Sequence, residues 1–217
     1  MDTTELVAVF RREMDDLVET YLWADEDILR YIDDAQKMFC RRTEGIADAT
    51  TPAVTRITVT TGTDWVELHP SILRIRDVTR YDTGRGVEVV NVEDMARRGW
   101  RFDRRPAPLQ ALVIGAQAHK ARVYPLAGED VLLDLLVYRL PLTPLDDFDL
   151  PLEIDAEHHQ HLLLWCKHLA YSKQDSETFD KTRASEFEVR FGAYCEQVKA
   201  EERRKRHKTR VVAYGGI

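Results

Sequence analysis

The residues with the clearest chemical potential lie in one short run, Glu157-His158-His159-Gln160-His161. Glu157 and His161 are four positions apart, so a helix places both on one face, where they could bind a metal ion together. A helical pair needs further ligands from elsewhere, and no His, Asp or Glu motif supplies them. A metal-dependent hydrolase that uses the three histidines is therefore the weakest hypothesis. We expect a solvated first helical turn, or histidines that face a neighbouring subunit.

Other motifs for catalysis or cofactor binding do not occur in the sequence. Gly84 and Gly86 fall in a predicted turn between strands, without the lysine-serine pair and long helix of a phosphate-binding loop. There is no Gly-x-Ser-x-Gly elbow and no paired-cysteine zinc spacing. Cys40, Cys166 and Cys195 are widely separated and are interpreted as small buried hydrophobes. The sequence therefore predicts a protein that is not an enzyme, with no catalytic residue, no cofactor and no metal ion.

Charge is unevenly distributed along the 217 residues. The composition, 44% hydrophobic and 32% charged, is that of an ordinary globular protein, and the formal net charge is -7. Residues 203–217 contribute six positive charges and no acid, so without them the net charge falls from -7 to -13. No apolar run approaches a membrane span, and the acidic N-terminus lacks the layout of a secretory signal. We expect a cytoplasmic origin and no membrane partner.

The C-terminal segment combines a basic stretch with an apolar end that has no helical period. The basic residues are Arg203, Arg204, Lys205, Arg206, Lys208 and Arg210, and the apolar ones are Val211, Val212, Tyr214 and Ile217. Composition alone fits a disordered, solvated terminus equally well, but such a tail has no need of apolar residues. We therefore predict a docking tail whose charges steer it and whose apolar side chains anchor it, for example by strand addition.

A second basic concentration, which spans residues 97–105, contains aromatic side chains. Its members are Arg97, Arg98, Trp100, Arg101, Phe102, Arg104 and Arg105. Basic and aromatic residues together can bind nucleic acid through phosphate contacts and base stacking. Trp, Phe and Arg are also common anchors of protein interfaces. Because the surrounding chain is acidic, we favour a subunit or tail interface formed by Trp100, Phe102, Arg104 and Arg105.

Hydrophobic periodicity divides the chain into helices, strands and helices again. Residues 1–50 and 151–206 show helical spacing, whereas residues 51–150 show the two-residue alternation of short strands. Residues 207–217 have neither pattern and are predicted to be extended. We predict an α+β fold: the terminal helices form one bundle, an antiparallel β lobe is inserted between them, and a tail extends from the C-terminus.

The helix signals are specific enough to test. Leu6, Phe10, Leu17 and Tyr21 share one predicted helical face, and Asp25 is the predicted N-cap of the second helix. Asp180 is the predicted N-cap of the last helix. The apolar stripe of that helix, suited to packing against another helix, is Ala184, Phe187, Phe191, Tyr194 and Val198.

Two stretches resemble the head-to-tail adaptor, or connector, proteins of short-tailed bacteriophages. The first is residues 22–35 (LWADEDILRYIDDA), which continue to Phe39-Cys40-Arg41-Arg42, and the second is residues 206–217 (RHKTRVVAYGGI). Residues 175–180, which open the last helix, add to the resemblance. The first pattern is also that of a generic capped amphipathic helix. The order of helices, strands, helices and tail extends the resemblance over nearly the whole chain.

The resemblance implies a structural virion protein that is assembled in the host cytoplasm. It implies a dodecameric ring beneath the portal protein, with the C-terminal segment packed against the portal and other surfaces receiving the tail tube or nozzle protein. DNA would pass through the lumen of the ring without sequence-specific binding. The alternative is a nucleic-acid-binding accessory protein that uses the basic tail and the Arg97–Arg105 loop.

Overall fold

The structure, a computed structural model, describes residues 1–101, 105–174 and 178–206. The helices are α1 (Thr3–Glu13), α2 (Asp25–Arg42), α3 (Pro52–Thr55), α4 (Val92–Arg97), α5 (His159–Ser172) and α6 (Lys181–Arg206). The strands are β1 (Ile46–Asp48), β2 (Arg56–Val59), β3 (Trp65–Glu67), β4 (Ile72–Arg80), β5 (Glu88–Asn91), β6 (Ala111–Gln117), β7 (Lys120–Tyr124) and β8 (Val131–Arg139). The predicted α+β class is confirmed.

The chain forms two compact units. The helical unit contains Met1–Glu44 together with the residues from Thr143 onward, and the β unit contains Gly45–Leu142. In the described part of the chain, no helix is long and apolar enough to cross a membrane.

The helical unit is built around α5, which packs against α1, α2 and α6. Helix α2 contributes Ile28, Ile32, Ala35 and Phe39, all buried and spaced by four, three and four residues. This spacing places them on one face of a helix, so α2 buries a continuous apolar stripe.

Helix α1 is shorter than its apolar spacing predicts. Leu6 and Phe10 are fully buried, but Leu17 and Tyr21 are exposed and lie beyond the end of the helix at Glu13. Asp15 has a positive φ of 56°, which is incompatible with continued right-handed helix. Arg11 binds the buried Asp16 at 2.6 Å, and this contact holds the chain in its turn away from the helix.

The predicted caps of two helices have different outcomes. Asp25 is not the N-cap of α2, because the cap is Ala24 and Asp25 is the first helical residue, with its side chain bound to Arg11. Asp180 does cap α6, since its Oδ1 accepts hydrogen bonds from the backbone N–H groups of Thr182 and Arg183, both at 3.0 Å. The second prediction is confirmed.

The β unit contains two four-stranded sheets. In one, β8 pairs with β4 and also with β1 and β2, which pair with its opposite ends. The other has the order β3-β7-β6-β5. Alternate residues of β8 are buried, from Val131 to Val137, and pack in a core with residues of the second sheet such as Leu112 and Val123.

The predicted antiparallel lobe contains one parallel strand pair. β5 runs parallel to β6, with Glu88 opposite Ala111 and Asn91 opposite Ile114. Parallel neighbours need a crossover of a dozen or more residues, and the chain between these two strands, which includes α4, is long enough to provide one.

Candidate functional site

Helix α6 is the element that carries the predicted basic site. It is 26 residues long, which corresponds to about 39 Å. The predicted stripe is buried at Ala184, Phe191 and Val198, whereas Phe187 and Tyr194 are only partly buried. Cys195 completes the buried face, which packs on α5. The inner face therefore fixes the direction of α6 up to Val198.

The last turn of α6 carries the first part of the predicted tail. The side chains of Arg203, Arg204 and Lys205 are exposed, and Arg206 is the last helical residue. Lys205 donates to Glu202 at 2.7 Å, and this hydrogen bond raises the pKa of the Lys205 ammonium. Cations at a C-terminus also interact favourably with the helix dipole. The remaining predicted tail residues, Lys208, Arg210, Val211, Val212, Tyr214 and Ile217, lie outside the described residues.

The second predicted site, around Trp100, forms part of the packing of the β unit. The Trp100 ring is stacked on Tyr124, with centroids 4.7 Å apart and planes at 10°, and packs against the buried Met95. Arg98 lies 5.3 Å from the Trp100 ring and binds Glu88 at 2.6 Å. Arg105 is exposed, and Phe102 and Arg104 lie outside the described residues. The structure therefore gives Trp100 a local packing role, and an interface role for this set stays a prediction.

The sequence was compared with those of known protein families, and one family matches. Residues 1–213 match the family described as SU10 adaptor protein. The chain belongs to that family. The match spans both units and confirms the resemblance to phage adaptor proteins. A search of curated proteins gives no match.

Two of the three histidines of this adaptor, His158 and His161, pack against Tyr194, and His159 is buried against other groups. His158 Nδ1 lies 2.8 Å from the Tyr194 hydroxyl. His159 is buried, with its ring nitrogens 2.7 Å from the carbonyl oxygens of Met1 and Ile154. The His161 ring is stacked on Tyr194, and burial and the neighbouring His158 lower the pKa of its imidazole. These rings therefore serve mainly as packing and hydrogen-bonding groups within the helical unit.

A different set of side chains has the spacing of a metal site. Ligand atoms of Asp155, Glu157 and His158 lie within 4.8 Å of one another. Asp155 and Glu157 are exposed, and exposed acidic groups commonly gather without an ion. The sequence pairing of Glu157 with His161 missed Asp155, which lies three positions before His158. Proximity alone does not establish a metal centre here.

The cysteines of the adaptor have the features of packing residues. All three are free and buried. Burial raises the pKa of the Cys166 thiol far above its usual range, and it raises that of Cys195 to about 11. Because the thiolate is the reactive form, these thiols are unreactive near neutral pH.

Proposed function

We propose that this chain is a non-catalytic head-to-tail adaptor that forms a twelve-fold ring between the portal protein and the tail proteins. The family match over residues 1–213 is the observation that carries this proposal. It would act in the virion after assembly in the host cytoplasm.

The end of α6 supports a role in binding the portal protein. Arg203, Arg204 and Lys205 are exposed there, and the sequence continues with three further cations before it becomes apolar. Charged residues steer association, whereas buried apolar side chains supply most of the affinity. We assign the steering role to the residues from Arg203 to Arg210 and the anchoring role to Val211, Val212, Tyr214 and Ile217.

The charge of the remaining chain supports the passage of DNA through the ring. Without residues 203–217 the net charge is -13 instead of -7, because that segment holds six cations and no acid. A negatively charged wall repels a polyanion. DNA would therefore pass through the lumen without sequence-specific binding.

Portal attachment tests this proposal. A chain that ends at Arg206 keeps the whole of α6 and removes only residues 207–217. We expect this variant to lose its complex with the cognate portal protein in co-sedimentation and electron microscopy, because the anchoring residues are gone. Its circular dichroism spectrum should match that of the full chain.

Two matched variants separate anchoring from steering. Val211→Ser combined with Tyr214→Ser should abolish the portal complex at any salt concentration. Lys208→Ala combined with Arg210→Ala should slow association and make it less sensitive to salt. Normal portal attachment by the chain that ends at Arg206 would show that the docking tail is not required.

The alternative function, DNA binding by the basic segments, makes an opposite prediction. It requires DNA affinity that falls steeply with added salt. Arg97 binds Asp94 and Arg98 binds Glu88, so these two charges are already paired within the β unit. We expect no binding of duplex or single-stranded DNA at low salt.

A further inference from the structure

The β unit contains a small cavity between its two sheets. It has a volume of about 160 Å³ and lies where β4 of one sheet approaches β6 and β7 of the other. Leu68, Ile72 and Ile114 contribute to its apolar lining. A cavity of about 150 Å³ holds one benzene-sized group, whereas pockets for larger ligands measure about 300–1,000 Å³. The cavity therefore has room for one apolar side chain.

Both strands that border the cavity are irregular at this point. The register of β4 against β8 shifts between Ile72 and Arg74, and that of β6 against β7 shifts between Val113 and Gln117. Gly115, in the second irregular stretch, has a φ of 87° and lines the cavity. Bulges re-aim side chains and are over-represented next to functional sites. The backbone irregularities of the two strands therefore shape this cavity.

Basic side chains also line the cavity, and none of its lining residues is acidic. They are His69, Arg74, His119 and Lys120. Lys120 already pairs with Glu67 at 3.3 Å. Arg74 is exposed, with its guanidinium 5.5 Å from the centre of the Tyr138 ring, and has no ion pair within the described ranges. We call this feature the basic cavity, and Arg74 is the cation in it that can pair with a partner.

His69 adds a hydrogen-bond donor to the basic cavity. Its Nδ1 accepts the backbone N–H of Ser71 at 3.2 Å, so the neutral ring carries its proton on Nε2. An N–H of this kind and the Arg74 guanidinium both donate to carboxylates, and the charged donor gives the stronger bond. The chemistry that fits the basic cavity is therefore an apolar side chain with a carboxylate beside it.

The loop between α1 and α2 carries this combination of side chains. Nine large hydrophobic residues are exposed in the described part of the chain, and four of them lie within six positions of this loop. These four are Leu17, Val18, Tyr21 and Leu22. Asp15 and Glu19 are exposed among them, and neither makes an ion pair within the described ranges. We call residues 15–22 the acidic loop.

The acidic loop is held at both ends by buried polar contacts. Arg11 donates to Asp16 at 2.6 Å and to the carbonyl oxygen of Trp23 at 3.1 Å. Asp16 also accepts the backbone N–H of Leu22 at 2.8 Å, and the Arg11 guanidinium lies 3.8 Å from the Tyr21 ring. A loop that is ordered before binding loses less conformational entropy when it binds.

We propose that the basic cavity of one copy receives the acidic loop of a second copy. Val18, which is 78% exposed and has the largest exposed fraction of the nine, fills the cavity, and its neighbour Glu19 pairs with Arg74. The charges of the two surfaces are opposite, and the size of the cavity matches one side chain. Complementary charges of this kind fix the register of an interface and exclude wrong partners.

The contact joins two different surfaces, since the acidic loop belongs to the helical unit and the basic cavity to the β unit. Contacts between unlike surfaces are head-to-tail: they repeat from copy to copy and close into a ring when the rotation allows. This inference rests on the proposed ring and assigns residues to its subunit contact.

Disulfide cross-linking between two variants tests this contact directly. Val18→Cys protein and Gln117→Cys protein are purified separately, mixed with and without the portal protein, and oxidised. Gln117 is exposed and lines the cavity, and the native cysteines are buried and do not compete. We expect mixed dimers in clear excess over the half that random pairing gives. Thr58→Cys, at an exposed position of β2 outside the cavity, replaces Gln117→Cys in the control mixture and should give no excess.

An exchange of charges tests the pair between Glu19 and Arg74. Glu19→Arg in the Val18→Cys protein should reduce the mixed dimer several-fold, because two cations then meet. Arg74→Glu in the Gln117→Cys protein should reduce it similarly, because two carboxylates then meet. The two charge changes together should restore most of the yield, which a general loss of stability would not do.

Matched variants control for the charge changes themselves. Glu26→Arg makes the first change at an exposed position of α2, and Arg85→Glu makes the second at an exposed position of the β unit outside the cavity. Both should leave the yield of mixed dimer unchanged. Circular dichroism spectra that match that of the unmodified protein show that each variant is folded.

Each other outcome overturns the contact in a recognisable way. Rings that form without an excess of mixed dimers would refute this contact and leave the proposed function standing. Failure of the unmodified protein to associate with itself, alone or with the portal protein, would refute both. Glu19→Arg protein that still associates with itself but no longer binds the portal protein would assign the acidic loop to the portal instead.

Discussion

The described residues of each unit include a buried arginine–aspartate pair, and the two pairs are organised in opposite ways. In the helical unit Arg11 is the shared partner: it binds Asp16, Asp25 and the carbonyl oxygen of Trp23. In the β unit Asp48 is the shared partner: one oxygen accepts from Arg139 at 2.6 Å. Its other oxygen accepts the backbone N–H groups that follow it in the chain.

This difference determines how many hydrogen bonds each buried aspartate keeps when its arginine is removed. Without Arg11, the buried Asp16 carboxylate keeps one backbone donor, the N–H of Leu22. Without Arg139, Asp48 keeps two, the N–H groups of Thr50 and Thr51. An isolated buried charge is costly in proportion to the hydrogen bonds it lacks.

The largest effect is expected for Arg11→Met. It should lower the free energy of unfolding of the helical unit by about 5 kcal/mol, because an uncompensated carboxylate stays buried. Chemical denaturation followed by circular dichroism measures the loss. Arg12→Met, at the exposed neighbouring position, is the control and should change stability by less than about 0.5 kcal/mol.

Arg139→Met makes the same substitution in the β unit, where Asp48 is the shared partner, and so allows a direct comparison with Arg11→Met. We expect a loss of about 3 kcal/mol, smaller than for Arg11→Met, since two backbone donors still stabilise Asp48. The exposed Arg85→Met is its control. Equal losses for the two arginine variants would contradict the distinction between the pairs.

The effect of Asp48→Asn at different pH values tests the Arg139–Asp48 pair, in which the carboxylate is the shared partner. Burial would raise the pKa of Asp48, but the hydrogen bonds from Arg139, Thr50 and Thr51 outweigh it and lower that pKa well below its usual value. The lowered pKa stabilises the fold at pH values above about 4, and this contribution is lost as the pH falls through the folded-state pKa. The variant should cost about 2 kcal/mol at pH 7 and progressively less on acidification. A cost that does not change between pH 7 and pH 3 would argue against an ionised Asp48.

The smallest effect is expected for Asp180→Ala. Asp180, like Asp48, accepts two backbone N–H groups, but it is partly exposed and has no buried arginine partner. Loss of this N-cap should cost about 1 kcal/mol, measured by thermal unfolding, and Asp180→Asn should restore most of it. A loss as large as that of Asp48 would mean that burial does not distinguish the two aspartates.

Local signals in the sequence predicted α2 and α6 well. Asp180 and the spacing of Ala184, Phe191 and Val198 act within a few turns of one helix, so the sequence displays them directly. The basic end of α6 was also predicted, because its exposed cations are consecutive residues.

The predictions that failed depended on contacts distant in sequence or on one backbone angle. Leu17 continues the helical spacing of α1, but the positive φ of Asp15 ends that helix. Spacing also does not reveal that Trp100 stacks on Tyr124, 24 positions away, and the predicted interface role of Trp100 stays a prediction. Periodicity also does not show that β5 and β6 are parallel, since direction depends on the crossover between them.

In α6 beyond Val198, the number of residues determines the side of the helix on which the basic side chains lie. Each residue of an α-helix advances the chain by about 1.5 Å and turns it by about 100°. One residue inserted after Val198 would therefore aim Arg203 and its neighbours at a different side, while three or four would nearly restore their direction about one turn farther out. In an evolving lineage, this stretch would tolerate length changes in whole turns more readily than single insertions. Insertions of about one helical turn would thus move the basic end of α6 farther from Val198 and keep its orientation.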